Sequence, residues 1–190
     1  INAANELDAA IILQTTESTI KYLGIDLIVS MAAAAAREMS RPVALHLDHG
    51  GSFELAERCI DAGYSSVMID GSKLPFEENI RVTRSVVDIA HKAGVSHEGE
   101  LGHVTQNDDN ANIADFFTRP EDARVFIGET GVDALAVAIG TAHGFYKGEV
   151  RLDLARLRIG DRPGYFRIKI HFQRPHHPFD MIEYLHTWHE

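Results

Sequence analysis

The 190-residue chain contains short apolar runs that each end in polar or charged residues. The clearest run covers positions 43–47, apolar except for His46, and ends in Asp48 and His49, which Gly50 and Gly51 follow. A continuous apolar run with polar groups at its carboxyl end is typical of a strand buried in a parallel sheet. Because side chains alternate along a strand, Asp48 and His49 would point to opposite faces if the strand simply continued. Glycine tolerates unusual backbone angles, so we expect Gly50 and Gly51 to let the chain twist and bring both side chains to one site.

Three further strand-like runs repeat this arrangement, over positions 94–101, 134–139 and 166–172. In the first of them Glu98 and Glu100 alternate, so their carboxylates share one face of the strand. The second run leads into His143, which lies among glycines, and the third carries His171. A single Asp-His pair could equally be a capping acid and a structural histidine. The repetition at several strand ends instead predicts a set of ligands for a divalent metal ion.

Helix and strand signals alternate along the chain. Strands are predicted over 11–15, 43–47 and 66–69, and helices over 25–39, 53–62, 75–93 and 120–129. Pro75 and Pro120 stand where a helix begins, and Gly94 stands where one ends. Such repeats with short connections predict a parallel sheet covered by helices, the α/β class. The polar segment 105–114 is either a solvated loop or a loop that closes over a site at the end of the preceding strand.

Composition limits the classes of protein to which the chain can belong. A hydrophobic content of 45% is typical of one globular domain, and no apolar run has the length of a membrane span. The formal net charge of −10 argues against nucleic acid, so a phosphorylated ligand would need local groups to hold it. The single cysteine, Cys59, excludes an internal disulfide and is expected to be a small buried side chain of a helix. The sequence begins without a signal pattern, so a cytoplasmic location is expected.

Four motifs follow one another over positions 42–160. They are His46-Leu47-Asp48-His49-Gly50, Ser-Val-Met-Ile-Asp-Gly-Ser at 66–72 with Pro-Phe-Glu-Glu-Asn at 75–79, Glu-Gly-Glu-Leu-Gly at 98–102, and the run at 131–144 that ends in Gly-Thr-Ala-His-Gly. This block resembles the class II, metal-dependent ketose-bisphosphate aldolases, which include fructose- and tagatose-bisphosphate aldolases. The resemblance implies a TIM (β/α)8 barrel, with one aldolase-type domain over 1–190 and poorly matching ends at 1–24 and 161–190. Because such barrels take roughly 200–250 residues, the barrel is expected to be incomplete in this chain.

The resemblance also implies a reaction and a metal. It implies a zinc-dependent lyase that splits fructose or tagatose 1,6-bisphosphate into dihydroxyacetone phosphate and glyceraldehyde 3-phosphate. Zinc would act as a Lewis acid that stabilises the enediolate left on the ketone fragment, and a second divalent or a monovalent cation could accompany it. His49, His143 and His171 match the metal-ligating histidines of the family, and Glu100 matches a carboxylate near the metal.

Two acids and two phosphate contacts complete the site that the resemblance implies. Asp48 would exchange a proton with the substrate hydroxyl as the carbon–carbon bond breaks or forms. Asp108 matches an acidic loop residue that handles the proton next to the carbonyl. Gly144 would offer a backbone N–H to a phosphate, and Lys147 is either a phosphate contact or an ordinary surface lysine. The expected partners are a small sugar phosphate and further copies of the chain in a homodimer or homotetramer, with no nucleic acid and no membrane.

The chain departs from the family pattern at several places. Thr105-Gln106 replace a glycine pair, Phe172-Gln173-Arg174-Pro175 replace a glycine–serine phosphate loop, and the last strand is missing. Five of the eleven histidines lie at 171–190, where they could bind metal adventitiously. The sequence is therefore either a piece of a longer chain or an altered copy. Two alternatives stay open: a catalytically impaired or non-catalytic metal-binding barrel of the same family, and a different metal-dependent barrel enzyme such as a hydrolase.

Overall fold

The computed structural model describes residues 1–102, 117–140 and 152–154, together with the backbone of two strands at 167–173 and 181–187. The helices of this part of the chain are α1 Asn2–Glu6, α2 Glu17–Leu23, α3 Ile25–Glu38, α4 Phe53–Ala62, α5 Phe76–Lys92 and α6 Pro120–Thr130. The strands are β1 Ile11–Thr16, β2 Val43–Gly50, β3 Ser66–Ile69, β4 Ser96–Leu101, β5 Ala134–Val137, β6 Arg167–Gln173 and β7 Met181–Thr187. The predicted alternation of strands and helices is confirmed for these residues.

Strand order in the sheet follows chain order from β1 to β7. β1 pairs with β2 in parallel, β2 with β3 in parallel, and β5 with β6 in parallel. β7 pairs antiparallel with β6, from Arg167 opposite Thr187 to Gln173 opposite Met181. The parallel part of this sheet is the α/β arrangement that the sequence predicts, whereas the antiparallel β7 was not expected.

Two helices that the sequence pattern left unassigned come directly before and after β1 in the chain. α1 is a short helix of five residues. α2 begins where the Thr16 side chain accepts a hydrogen bond from the backbone N–H of Thr19 at 3.4 Å, which is the usual role of an N-cap threonine. It ends at Gly24, whose φ of 83° places it in a region that glycine adopts without strain. Both helices are too short to show a clear helical period in the sequence.

The chain divides into two compact units, one formed by residues 1–70 and 82–98, the other by residues 71–81 and 99–190. In the first unit, the inward side chains of β2 and β3 pack with those of α4 and of the second half of α5. Leu47, Val67 and Val86 are fully buried in this core. The helix α4 begins at Ser52, whose hydroxyl accepts from the backbone N–H of Leu55 at 3.2 Å.

Cys59 lies in the core of the first unit, as the sequence predicts. Its side chain is fully buried among apolar residues. Burial raises the pKa of the Cys59 thiol to about 11, because the thiolate would lose its hydration there. The cysteine is therefore a protonated core residue at neutral pH.

The carboxyl end of β2 turns in a way that differs from the sequence expectation. The residue with the unusual backbone is His49 itself, at φ 50°, and the register between β2 and β3 shifts between Leu47 and Gly50. Gly50 is required for a different reason, since a Cβ there would overlap the backbone carbonyl oxygen of Met68. The glycine therefore allows β2 to approach β3 closely, and the histidine supplies the twist.

In the second unit, α6 and the beginning of α5 pack on the end of β4. The Phe76 and Phe126 rings lie 6.4 Å apart between centroids, and Phe126 is fully buried. A Cβ at Gly99 would lie 2.8 Å from the Phe126 ring, so the strand can lie this close to the ring only because this position is glycine. α6 begins with Pro120 and ends at Gly131, whose φ of 73° is left-handed.

No single helix among the described residues is long and apolar enough to cross a membrane. The helices α2 and α3 are long and apolar enough only when they are taken together, and they are bent by 98° at the break between them.

We expect Gly50→Ala to destabilise the protein by about 1–3 kcal/mol, because the new methyl group must displace a backbone carbonyl rather than a flexible side chain. Urea unfolding followed by circular dichroism measures the change. Gly128→Ala is the matched control, since a Cβ there meets nothing within 4 Å and the residue lies in α6. The close approach of β2 to β3 is contradicted if the two alanines have the same effect.

We expect the buried Cys59 thiol to lower the stability of the folded protein at high pH. The unfolded chain loses this proton from about pH 8.5, whereas the folded chain keeps it to about pH 11, so the free energy of unfolding falls as the pH rises between these values. The free energy of unfolding, measured across this pH range, should decline more steeply for the natural chain than for Cys59→Ala. Equal slopes would mean that the folded thiol ionises like an exposed one.

Candidate metal centre

Asp48 and His49 lie at the carboxyl end of β2, where the sequence places the chemistry. Asp48 is buried with 3% of its surface exposed, and it stands opposite Thr16 in the register of β1 and β2. His49 is partly exposed and its backbone N–H lies 3.5 Å from the Met68 sulfur on β3. Because the backbone at His49 is left-handed, the Asp48 and His49 side chains do not alternate between opposite faces as they would in a regular strand.

The His49 imidazole contacts the carboxylate of Asp70, the residue that follows β3. His49 Nδ1 lies 3.2 Å from Asp70 Oδ2, and the two side chains are 27% and 21% exposed. Asp70 is itself held in place, because its backbone N–H donates to the carbonyl of Gly50 at 3.0 Å. A carboxylate on one ring nitrogen favours the tautomer that carries the proton there and leaves the lone pair on the other nitrogen, as in many metal-ligating histidines.

Further from the strand end, His46 and Glu98 form a buried pair in the same unit. His46 Nε2 lies 3.6 Å from Glu98 Oε2, and His46 Nδ1 lies 2.8 Å from the Ser66 hydroxyl. Both His46 and Glu98 are almost completely buried, at 3% and 5% exposure. Of the two alternating carboxylates that the sequence predicts on β4, Glu98 therefore faces a histidine of the sheet interior.

Glu100 is the second of the two acidic residues on β4, and it lies near the end of that strand in the second unit. Only 5% of its surface is exposed, and its backbone carbonyl accepts a hydrogen bond from the Asn79 side chain at 2.9 Å. A buried carboxylate needs protons, cations or hydrogen-bond donors around it, because its charge is costly away from water.

Within residues 1–102, 117–140 and 152–154, the histidine and acidic side chains suited as metal ligands are His49 and Asp70 in the first unit and Glu100 in the second. One imidazole nitrogen and two carboxylate oxygens are ligands that zinc and similar divalent cations accept in proteins. The residues therefore fit the type of metal that the sequence predicts.

The remaining predicted site residues are only partly covered by the structure. Asp108, His143, Gly144 and Lys147 lie outside the described residues, as does the polar segment 105–114. His171 is described only through its backbone, which lies in β6 opposite Glu183 of β7. The assignments of these five residues stay predictions.

Asp70 is the residue that the sequence analysis missed. It stood inside the quoted motif at 66–72 but was given no role. The signal was present, because Asp70 follows the apolar run 66–69 as Asp48 follows the run 43–47. Since the carboxyl ends of neighbouring parallel strands lie at the same edge of a sheet, the two acids could have been read together.

Comparison with known proteins identifies the relatives of this fold. The family model described as "Fructose-bisphosphate aldolase class-II" matches residues 1–163. A fructose-bisphosphate aldolase of Helicobacter pylori is 46% identical over 162 residues, which are 82% of this chain and 53% of that protein. The chain thus spans about half the length of the curated relatives that it matches.

Solved structures support the same fold. The YdjI aldolase of Escherichia coli K12 has a TM-score of 0.73 and 33% sequence identity, over 83% of this chain and 55% of that one. A fructose-bisphosphate aldolase of Campylobacter jejuni has a TM-score of 0.65 at 24% identity, over 82% and 53% of the two chains, and bears on the fold alone. The predicted α/β class of TIM-barrel type, incomplete in this chain, is confirmed.

We expect Asp70→Asn to weaken zinc binding by about 10- to 100-fold, because the amide keeps the shape of the carboxylate but loses the charge that faces His49. Competition with a chromophoric chelator measures the affinity. Asp61→Asn, on the exposed surface of α4, is the matched control and should bind zinc like the natural chain. Unchanged binding by Asp70→Asn would remove Asp70 from the centre.

Proposed function

Because the chain belongs to the class II fructose-bisphosphate aldolase family, we propose that it carries the metal centre and an acid–base residue of an aldehyde-lyase acting on a ketose 1,6-bisphosphate. The observation that carries the proposal is the contact between His49 and Asp70, beside the buried Asp48 at the same strand end. A histidine held by a carboxylate next to a second, buried carboxylate provides a metal ligand and a proton-transfer group within two consecutive residues.

The proposed metal is zinc. When bound, it would supply Lewis-acid chemistry that stabilises negative charge developing on the ketone fragment. His49 and Asp70 of the first unit are its proposed ligands among the described residues, and Glu100 of the second unit is a further proposed ligand that the family resemblance supports. His143 and His171 complete the proposed ligand set on the basis of the family resemblance alone.

Asp48 is the proposed acid–base residue. In the cleavage direction its carboxylate accepts the proton of the substrate hydroxyl on the carbon that becomes the aldehyde. The electron pair of the breaking carbon–carbon bond then goes to the ketone fragment. Burial of Asp48 suits this role because a carboxylate away from bulk water exchanges protons with a bound substrate rather than with solvent. Asp108 is proposed to handle the proton at the carbon next to the carbonyl.

Fructose 1,6-bisphosphate is the proposed substrate, since the curated relatives carry the name of that activity. Tagatose 1,6-bisphosphate differs from it at one carbon and is the competitor to assay beside it. Gly144 and Lys147 are the proposed phosphate contacts. A homodimer or homotetramer in the cytoplasm is the proposed state of the protein.

One observation favours a second candidate, a family member that binds metal without turnover. The residues after His171 match no glycine–serine loop, and β6 continues through Phe172 and Gln173, which pair with Ile182 and Met181 of β7. A strand at this point leaves its backbone N–H groups engaged in the sheet rather than facing a phosphate. This candidate predicts stoichiometric zinc binding and no cleavage of either sugar.

We expect Asp48→Asn to lower kcat for fructose bisphosphate cleavage by about 10²- to 10⁴-fold, because the amide cannot accept the hydroxyl proton. An assay coupled to a reductase of dihydroxyacetone phosphate measures the rate with zinc in excess. Asp88→Asn, on the exposed side of α5, should retain the full rate. If Asp48→Asn cleaves the sugar like the natural chain, another group transfers the proton. If the zinc-loaded natural chain cleaves neither sugar, the second candidate replaces the first.

A further inference from the structure

The end of β4 is held by a side chain rather than by sheet hydrogen bonds alone. Asn79, in the first turn of α5, donates from Nδ2 to the backbone carbonyl of Glu100 at 2.9 Å. Only 2% of the Asn79 surface is exposed. When a buried side-chain amide donates to a strand carbonyl, it takes the place of the backbone N–H of a neighbouring strand. The hydrogen bond then fixes the peptide group that carries this carbonyl.

Asn79 is itself held on several sides within the second unit. Its backbone N–H donates to the carbonyl of Pro75 at 2.9 Å, which places it at the beginning of the helix. A Cβ at Gly71 would overlap Asn79 Oδ1, so the amide has room only because position 71 is glycine. The nearby Phe76 ring packs on Phe126, which holds the beginning of α5 against α6. The Asn79 side chain therefore has little freedom to move away from β4.

The next carbonyl along β4 is held in the same manner. The Thr118 hydroxyl donates to the carbonyl of Leu101 and accepts from the backbone N–H of Ala138 at 2.8 Å. Two consecutive carbonyls at the end of β4 thus accept hydrogen bonds from buried side chains. The strand end that carries Glu100 is fixed more firmly than a strand end exposed to solvent.

We propose that Asn79 is a positioning residue that fixes the Glu100 carboxylate as a metal ligand through its hydrogen bond to the Glu100 peptide. The proposal rests on the proposed function, because it takes Glu100 to be a metal ligand. Asn79 contacts neither metal nor substrate in this account. Its effect passes through the backbone of Glu100, so it should change how the metal is held and not merely whether the protein is folded.

The test is the binding of Co²⁺ to the full chain, read from the visible absorption spectrum, which depends on the ligands and their geometry. Asn79→Ala should weaken Co²⁺ binding by about 10- to 100-fold and alter the spectrum of the bound ion. Thr130→Val is the matched control, since it also removes a buried side-chain bond to a carbonyl, from Thr130 Oγ1 to Phe126 at 2.6 Å, but within α6. The control should lose thermal stability to a similar extent and keep the affinity and spectrum of the natural chain.

Three further measurements make the outcomes distinct. Gly71→Ala displaces the Asn79 amide without removing it and should produce the same spectral change, which keeps the test decisive if Asn79→Ala does not fold. If Glu100→Gln weakens Co²⁺ binding but Asn79→Ala and Gly71→Ala do not, the positioning role is overturned and the metal centre stands. If His49→Ala and Glu100→Gln also bind Co²⁺ like the natural chain, the metal centre fails and the positioning role fails with it.

Discussion

The close approach of β2 to β3 at their carboxyl ends is the constraint on which the described site depends. Gly50 allows it, because any side chain at this position would overlap the Met68 carbonyl. The approach brings the backbone N–H of Asp70 to the carbonyl of Gly50 at 3.0 Å. With Asp70 so fixed, its carboxylate meets the imidazole of His49, whose left-handed backbone turns the ring out of the regular strand direction. The contact between His49 and Asp70 therefore follows from one glycine and one strained histidine.

The hydrophobic pattern predicts most of the fold because each long element has a clear period or a clear cap. Apolar runs with polar ends predict β2 and β3, and prolines and glycines predict the ends of α5 and α6. The short α2 and the antiparallel β7 were not predicted. The seven residues of α2 carry too little periodicity, and the apolar residues Met181, Ile182 and Leu185 do not alternate with polar ones in a way that separates strand from loop.

The candidate site was predicted in part for a similar reason. Asp48, His49 and Glu100 are visible in the sequence because each stands at the end of, or alternates within, a strand-like run. The contact of His49 with Asp70 was not, since the twist comes from His49 rather than from the glycines that follow it. Asn79 was also missed, because an asparagine in the first turn of a helix is ordinary and its bond to Glu100 joins residues far apart in sequence.

The most direct test of the account is to locate zinc in crystals of the zinc-loaded chain by anomalous scattering. The account predicts a zinc ion with the His49 imidazole and at least one carboxylate oxygen among its ligands, at about 2.0–2.2 Å. Zinc bound only to histidines of the segment 171–190, with His49 and Asp70 still in mutual contact and no ion beside them, would contradict it.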